Sequence, residues 1–290
     1  MKGTVASLLL SFLFIALVFY FLPFHQLIQD IEKIDLLIFF SAFLLYTLSQ
    51  ITRSLKWSIL LRIPFRESFF LNSANLFLNN ILPARSGELS WFYYTKRLGI
   101  ELRYSFWGFI VGRIYDMMGL LTVVFSSYLW IKFGISQALS FLVLIIILSP
   151  FFQKVIFLIP EFWKFKEIKN FLFKEFSPKL SFLLFSISVM SFFLKAESTY
   201  LIVYSVSNLD LFVYILGFLG GELSSVLPIH GFMGYGTYEA GFLIPLEITG
   251  IEIKEGLKIG FLTHNFLLFS STIWGILSIL YLQIFSRKAP

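Results

Sequence analysis

Long apolar runs separated by short polar stretches dominate the chain. The run from Val5 to Leu22 can cross a bilayer. It follows Lys2 as a signal peptide would, but it lacks a small-x-small cleavage site and reads as a retained helix. Further helices are expected from about Ile34 to Leu61, Ser105 to Ile131, Gln137 to Ile159 with a bend at Pro150, Leu180 to Val206, and Gly256 to Phe285. Period-two alternation, the mark of a membrane β-barrel, is not seen.

Two segments break this rhythm. The run Phe69 to Leu82 is too short to span comfortably, and Pro83 to Gly87 interrupts it before a second short run, Leu89 to Thr95. The second half repeats the device between Leu211 and Leu246, with Leu227 to Glu239 as the break. Each break reads as a re-entrant helical hairpin. The expected fold is an all-α polytopic membrane protein with six transmembrane helices and two opposed re-entrant broken-helix segments. Each half, about 1–135 and 136–290 of one integral membrane domain, then contributes three spans. An odd number gives the halves opposite orientations, an inverted repeat.

Composition fits this class: 58% of residues are hydrophobic and 14% charged, far too apolar for a soluble domain of 290 residues. The formal charge of +6 lies beside apolar runs, as topology signals and anionic-lipid contacts do, and does not suggest nucleic acid. With both termini cytoplasmic, the inner side of the cell membrane receives sixteen of the 23 Lys and Arg: Lys2; Arg53, Lys56, Arg62 and Arg66; Lys96, Arg97 and Arg103; six lysines from Lys154 to Lys179; Arg287 and Lys288. Lys33, Lys132, Lys254 and Lys258 fall outside, while Arg85, Arg113 and Lys195 stay at membrane depth. Full crossing by one broken segment alone would destroy that bias. The stretch Glu161 to Lys179 is either an amphipathic surface helix or a solvated connection.

Intramembrane polar residues supply the candidate chemistry. Helix ends inside a membrane persist only within protein or beside a water-filled cavity. Half-helix starts near Arg85 and His230 can hold a phosphate. Glu88 and Glu239 lie in the first turns of the second half-helices, with Ser86 and Thr237 as N-caps. They either serve the caps or face the substrate. Pro83 and Pro228 make the breaks, and Gly87, Gly231, Gly234 and Gly236 allow close backbone approach. Arg113 and Asp116, three apart on one helix face, form an expected ion pair. Lys195 and Glu197 face different ways, so each needs a partner elsewhere or lines the path; Glu222 precedes the second break and faces the same cavity. Asn72, Asn75, Asn79 and Asn80 read as polar packing, and His264 with Asn265 as an interhelical hydrogen bond.

Enzyme signals are poor: His25, His230 and His264 are scattered, and no metal-ligand spacing, Walker loop or nucleophile motif occurs. No cofactor is expected. With no cysteine, disulfides and Cys-ligated metals are excluded.

The pattern Asn-x-x-Leu-Pro-x-Arg-x-Gly-Glu at 79–88, Arg-x-x-Asp at 113–116 and Leu-Pro-x-x-Gly…Gly-x-Gly-x-x-Glu at 227–239 resembles the transmembrane region of bacterial lysylphosphatidylglycerol synthases, itself similar to stand-alone flippase-like integral membrane proteins. Gly112 stands where that family often has glutamate, and Ile229-His230-Gly231-Phe232 where it often has Ser-Pro-Gly-Gly. The resemblance implies lipid translocation between leaflets. The synthases' lipid-making domain is not expected after Phe285, so the chain alone should not transfer lysine. The alternatives are a membrane enzyme acting on a lipid-linked substrate, and a non-catalytic subunit docking a soluble synthase through 161–179.

Overall fold

The computed structural model describes residues 12, 24–82, 86–152, 154, 177–225 and 231–285. All of the expected first helix but Phe12, most of the 161–179 stretch, and Pro83, Arg85, Pro228, His230, Arg287 and Lys288 lie outside the described residues.

The described chain is all-α. Ten helices follow in order: α1 (Phe24–Glu32), α2 (Leu36–Leu61), α3 (Phe65–Ile81), α4 (Glu88–Arg97), α5 (Leu102–Phe133), α6 (Ile135–Leu148), α7 (Pro178–Tyr204), α8 (Leu211–Ser224), α9 (Thr237–Ile248) and α10 (Ile253–Ile284). Among them α2, α5, α7 and α10 are long and apolar enough to cross a membrane. Local chemistry sets their ends. Asp35 and Asp210 accept backbone N–H groups at the starts of α2 and α8, and Ser177 does so for α7 just before Pro178. Arg62, in the left-handed region at φ 56°, closes α2. Pro150 falls in a 3-10 turn, Ser149–Phe151, where α6 ends.

Contacts sort the helices by direction. At one end of the bundle Tyr104 OH donates to Leu60 O (3.1 Å), Arg97 Nη2 to Gln283 O (3.3 Å), and Ser181 Oγ to Ser149 O (2.7 Å). At the other end Trp130 stacks on Phe212 (4.0 Å), Tyr200 OH donates to Leu209 O (2.8 Å), and Lys258 faces Asp30. The long helices α2, α5, α7 and α10 therefore run between the two ends. The short pairs do not. Helix α3 leaves the first end and α4 returns to it; α8 leaves the second end, and α9 returns to it.

Each pair is an antiparallel hairpin. In the second, Gly221 lies under Tyr238, Gly220 on Gly241, and Gly217 under Phe242 and Leu246. Helices α8 and α9, of 14 and 12 residues, reach about 21 and 18 Å at 1.5 Å per residue, short of a bilayer core of about 30 Å. The hairpins exchange partners: α10 packs on α3, and α5 on α8, while α2 packs along α7. Two buried clusters fill the interior, one around Trp57, Trp91 and Phe185, the other around Tyr214, Phe218 and Phe242. The outer surface is rich in exposed Phe, Leu and Ile, as a lipid-facing surface is.

The Gly220–Gly241 approach leaves no room for a side chain, since a Cβ on Gly220 would fall on the Gly241 carbonyl oxygen. Gly220→Ala is expected to destabilise the protein by about 1–3 kcal/mol through overpacking. Thermal unfolding in detergent measures this, and an unchanged midpoint would show that α8 and α9 separate freely.

Candidate functional site

The two hairpin tips meet inside the bundle, where α3 packs against the 3-10 turn Phe232–Gly234 of the second loop. Between them lies a cavity of about 620 Å³. It is lined from the first half by Arg53, Asn79, Glu88, Arg113 and Asp116, and from the second by Lys195, Glu222, Gly234, Thr237, Tyr238 and His264, among others. The cavity thus gathers most of the expected intramembrane polar residues from eight different helices and a loop.

Amides hold its first-half wall. Asn75 Nδ2 donates to Gly87 O (3.2 Å) and Ser90 Oγ (3.3 Å), tying α3 to α4. Asn72 Nδ2 donates to Gln50 Oε1 on α2 (3.1 Å), and Asn80 Nδ2 to Ser271 Oγ on α10 (2.9 Å). Asn79 Nδ2 donates to Asn75 Oδ1 (3.3 Å) and faces the cavity. A Cβ on Gly87 would fall on the backbone of Leu78, so glycine sets how closely α4 folds back.

Caps at the two breaks differ from the sequence reading. The N-cap of α4 is Gly87, and Ser86 acts through its carbonyl, which accepts from Leu89 N–H (3.1 Å). The N-cap of α9 is Gly236, and Thr237 is already helical. Thr237 Oγ1 instead staples the loop: it donates to Gly234 O (3.0 Å) and accepts from Gly231 N–H (3.4 Å). Spacing could not separate these registers, because Ser or Thr one residue away from a glycine suits either cap. Glu239 does cap α9, accepting from Gly236 N–H at 2.8 Å. It is 0% exposed and stands behind the cavity wall, where its other oxygen meets His264 Nδ1 at 2.6 Å. His264 is the residue on this pair that reaches the cavity. Beside it, Asn265 Oδ1 accepts from Tyr235 OH (2.7 Å), tying α10 to the second loop.

Ion pairs cross the helices. Lys195 Nζ on α7 donates to Glu222 Oε1 on α8 (2.7 Å), so Lys195 has a partner on another helix and also lines the cavity with Glu222. Arg113 Nη2 lies 3.7 Å from Glu88 Oε1, linking α5 to the first hairpin. Asp116, expected to pair with Arg113 three residues before it, is engaged mainly from α2. Arg53 Nη2 reaches Asp116 Oδ2 at 2.8 Å, and Lys56 Nζ binds Asp116 Oδ1 and donates to Gly112 O (3.1 Å). Arg113 adds to the positive field on the same carboxylate.

Lys56 is 0% exposed, so the sequence reading of Arg53 and Lys56 as cytoplasmic topology charges is corrected. Near a helix end such side chains ordinarily snorkel to the interface. Here both, three residues apart on one face, turn toward Asp116. Their partner sixty residues away was the missing signal.

Among the described residues, Arg53 Nε, Trp57 Nε1 and the Tyr238 hydroxyl, all on cavity-lining residues, have no protein hydrogen-bond partner. Buried donors are normally paired, and these stand in the packed wall just behind the cavity surface. Among the described residues no group of His, Asp and Glu could hold a metal ion.

A family model described as lysylphosphatidylglycerol synthase TM region matches residues 4–275. No curated protein and no solved structure matches the chain.

Proposed function

The chain belongs to the lysylphosphatidylglycerol synthase TM region family, and from that premise we propose that it is a flippase-like transporter. It moves a phospholipid or lipid-linked head group between the leaflets of the cell membrane. The observation that carries this reading is the convergence of both hairpin tips on one polar cavity of about 620 Å³ within an apolar bundle. Unwound backbone at membrane depth needs such a cavity.

The return of each hairpin to the end it entered from supports re-entrant segments, one opening to each side. The exchanged packing of α3 with α10 and of α5 with α8 supports an inverted repeat. The cytoplasmic placement of both termini rests on the sequence charge bias, which survives the transfer of Arg53 and Lys56 to the interior.

In this reading Glu88, Lys195 and Glu222 line the head-group site. Arg85, in sequence between α3 and α4, meets the phosphate together with His230. Glu239 acts through His264. The lipid tails stay among the exposed aromatic and aliphatic side chains of the outer surface. The partners are membrane lipids bearing a phosphate head group; a soluble synthase docking through 161–179 belongs to the alternative reading.

Reconstitution into vesicles with a fluorescent phospholipid tests this. The protein is expected to speed leaflet exchange over protein-free vesicles. Arg85→Ala is expected to slow exchange about ten- to a hundredfold, the loss of one charge-assisted contact of about 1.5–3 kcal/mol. Chemical modification of the head group without exchange would replace the transporter reading by the enzyme reading.

A further inference from the structure

Among the described residues, the three cations lining the cavity each face a carboxylate: Arg53 with Asp116, Arg113 with Glu88, and Lys195 with Glu222. His264 is arranged differently. Its ring stacks on Tyr238 (4.5 Å between centroids) and lies tilted against Tyr235 (4.9 Å). Nδ1 meets Glu239 Oε1 at 2.6 Å. A carboxylate only accepts, so Nδ1 carries a hydrogen, and Nε2 is the nitrogen left to gain or lose one. Nε2 sits beside Gly234, where an added Cβ would lie 3.1 Å from it, and both residues line the cavity. Gly234 is in the left-handed region at φ 86°, so its backbone conformation and the space before Nε2 both require glycine. The carboxylate is itself fixed by Gly236 N–H. An imidazole aimed by a buried carboxylate, with its second nitrogen beside a polar cavity, is placed to exchange a proton there.

We propose that His264 is a proton-binding site of the cavity and that a proton and an anionic phosphate head group are bound together. This rests on the head-group reading above. A proton from water attaches at Nε2. The new Nε2–H donates to a phosphate oxygen, while Glu239 balances the imidazolium through Nδ1–H. When the head group leaves, Nε2 returns the proton to water.

The other groups around His264 do not supply this charge. From α9 come Glu239 and the Tyr238 hydroxyl, and from the loop the Tyr235 hydroxyl. From α8 comes Glu222, already paired with Lys195 of α7. The cavity-lining polar residues of α3 are uncharged amides. Asp30 of α1 faces Lys258, six residues before His264 on α10, and Lys258 is also paired with Glu255. Binding of an anion beside Nε2 favours the imidazolium, and by linkage the imidazolium favours the anion.

The probe is soluble dihexanoyl phosphatidylglycerol, a phosphodiester that keeps one negative charge across about pH 5.5 to 8 and so brings no proton of its own. Purified full-length protein is expected to bind it about tenfold more tightly at the low end of that range than at the high end. His264→Gln should bind with the same affinity at both. Glu239→Gln should move the transition to lower pH, because the imidazolium loses its counter-charge. A merely structural role for Glu239 would not shift that midpoint. In parallel, nitrogen-15 histidine spectra, assigned by the signal that His264→Gln removes, should show Nε2 gaining a proton when the probe is added at neutral pH. Binding that is independent of pH in the wild-type protein, or a full pH dependence kept by His264→Gln, overturns the proton site and leaves the head-group reading standing. No binding at either pH overturns the head-group reading and this inference with it.

Discussion

Replacing Asp116 by Asn is expected to destabilise the protein by about 3–5 kcal/mol, the scale of breaking a buried ion pair from one side. Its two oxygens hold Arg53 and Lys56, and Lys56 is completely shielded from solvent. Asn keeps the size and one acceptor but removes the charge. Lys56 then has only uncharged acceptors, Gly112 O and an amide oxygen that Arg53 also reaches. Water cannot take over, because Trp57 lies against Lys56 Nζ and packs on Trp91 and Phe109. Adding Lys56→Met should recover part of the loss, since an apolar side chain of similar length removes the stranded charge. Arg53, at the cavity wall, then remains the one cation without its counter-charge. Thermal unfolding in detergent decides this. An Asp116→Asn midpoint equal to wild type would mean that the triad contributes nothing to stability.

That triad also shows where sequence reasoning stops. Hydropathy located α2, α5, α7 and α10 to within a few residues, because the length of an apolar run and the length of its helix are the same physical quantity. It located both interruptions as well, since Pro83, Gly87 and the glycines from 231 to 236 are chemically distinct from their surroundings. Which way a polar side chain turns is not written in hydropathy. Arg53 and Lys56 lie within three turns of the end of α2 and read as interfacial, yet they point toward Asp116 on α5. Lys195 and Glu197 are a counter-example: two residues apart, they could not share a face, so the sequence required outside partners, and Glu222 is one of them. The sequence places His264 in an interhelical hydrogen bond, which it makes with Glu239; its second nitrogen beside the cavity depends on the fold of the 231–236 loop, which no local pattern encodes. The cap positions failed for a smaller reason: each break offers both a glycine and a hydroxyl residue, and tertiary contacts decide which one starts the helix.

The second large effect concerns the cavity itself. The chain contains no cysteine, so one introduced thiol is the only reactive one. Asn79 from the first half and Ser225 from the second both line the cavity and are not fully buried. Neither makes a strong contact: Asn79 donates to Asn75 at 3.3 Å, and Ser225 Oγ bonds within its own turn to Glu222 O. A sulfonatoethyl group attached to either cysteine brings a fixed anion and several atoms into the space reserved for a head group. It competes for the same cations. Phe269, on α10, is 49% exposed on the outer apolar surface and serves as the control.

The measurement is phospholipid leaflet exchange in vesicles containing Asn79→Cys, Ser225→Cys or Phe269→Cys protein, before and after complete labelling with the charged thiol reagent. Labelling at position 79 or 225 should bring exchange down to the rate of protein-free vesicles, and labelling at 269 should leave it unchanged. Undiminished exchange with both cavity positions fully labelled would show that the head group does not pass between the two hairpins.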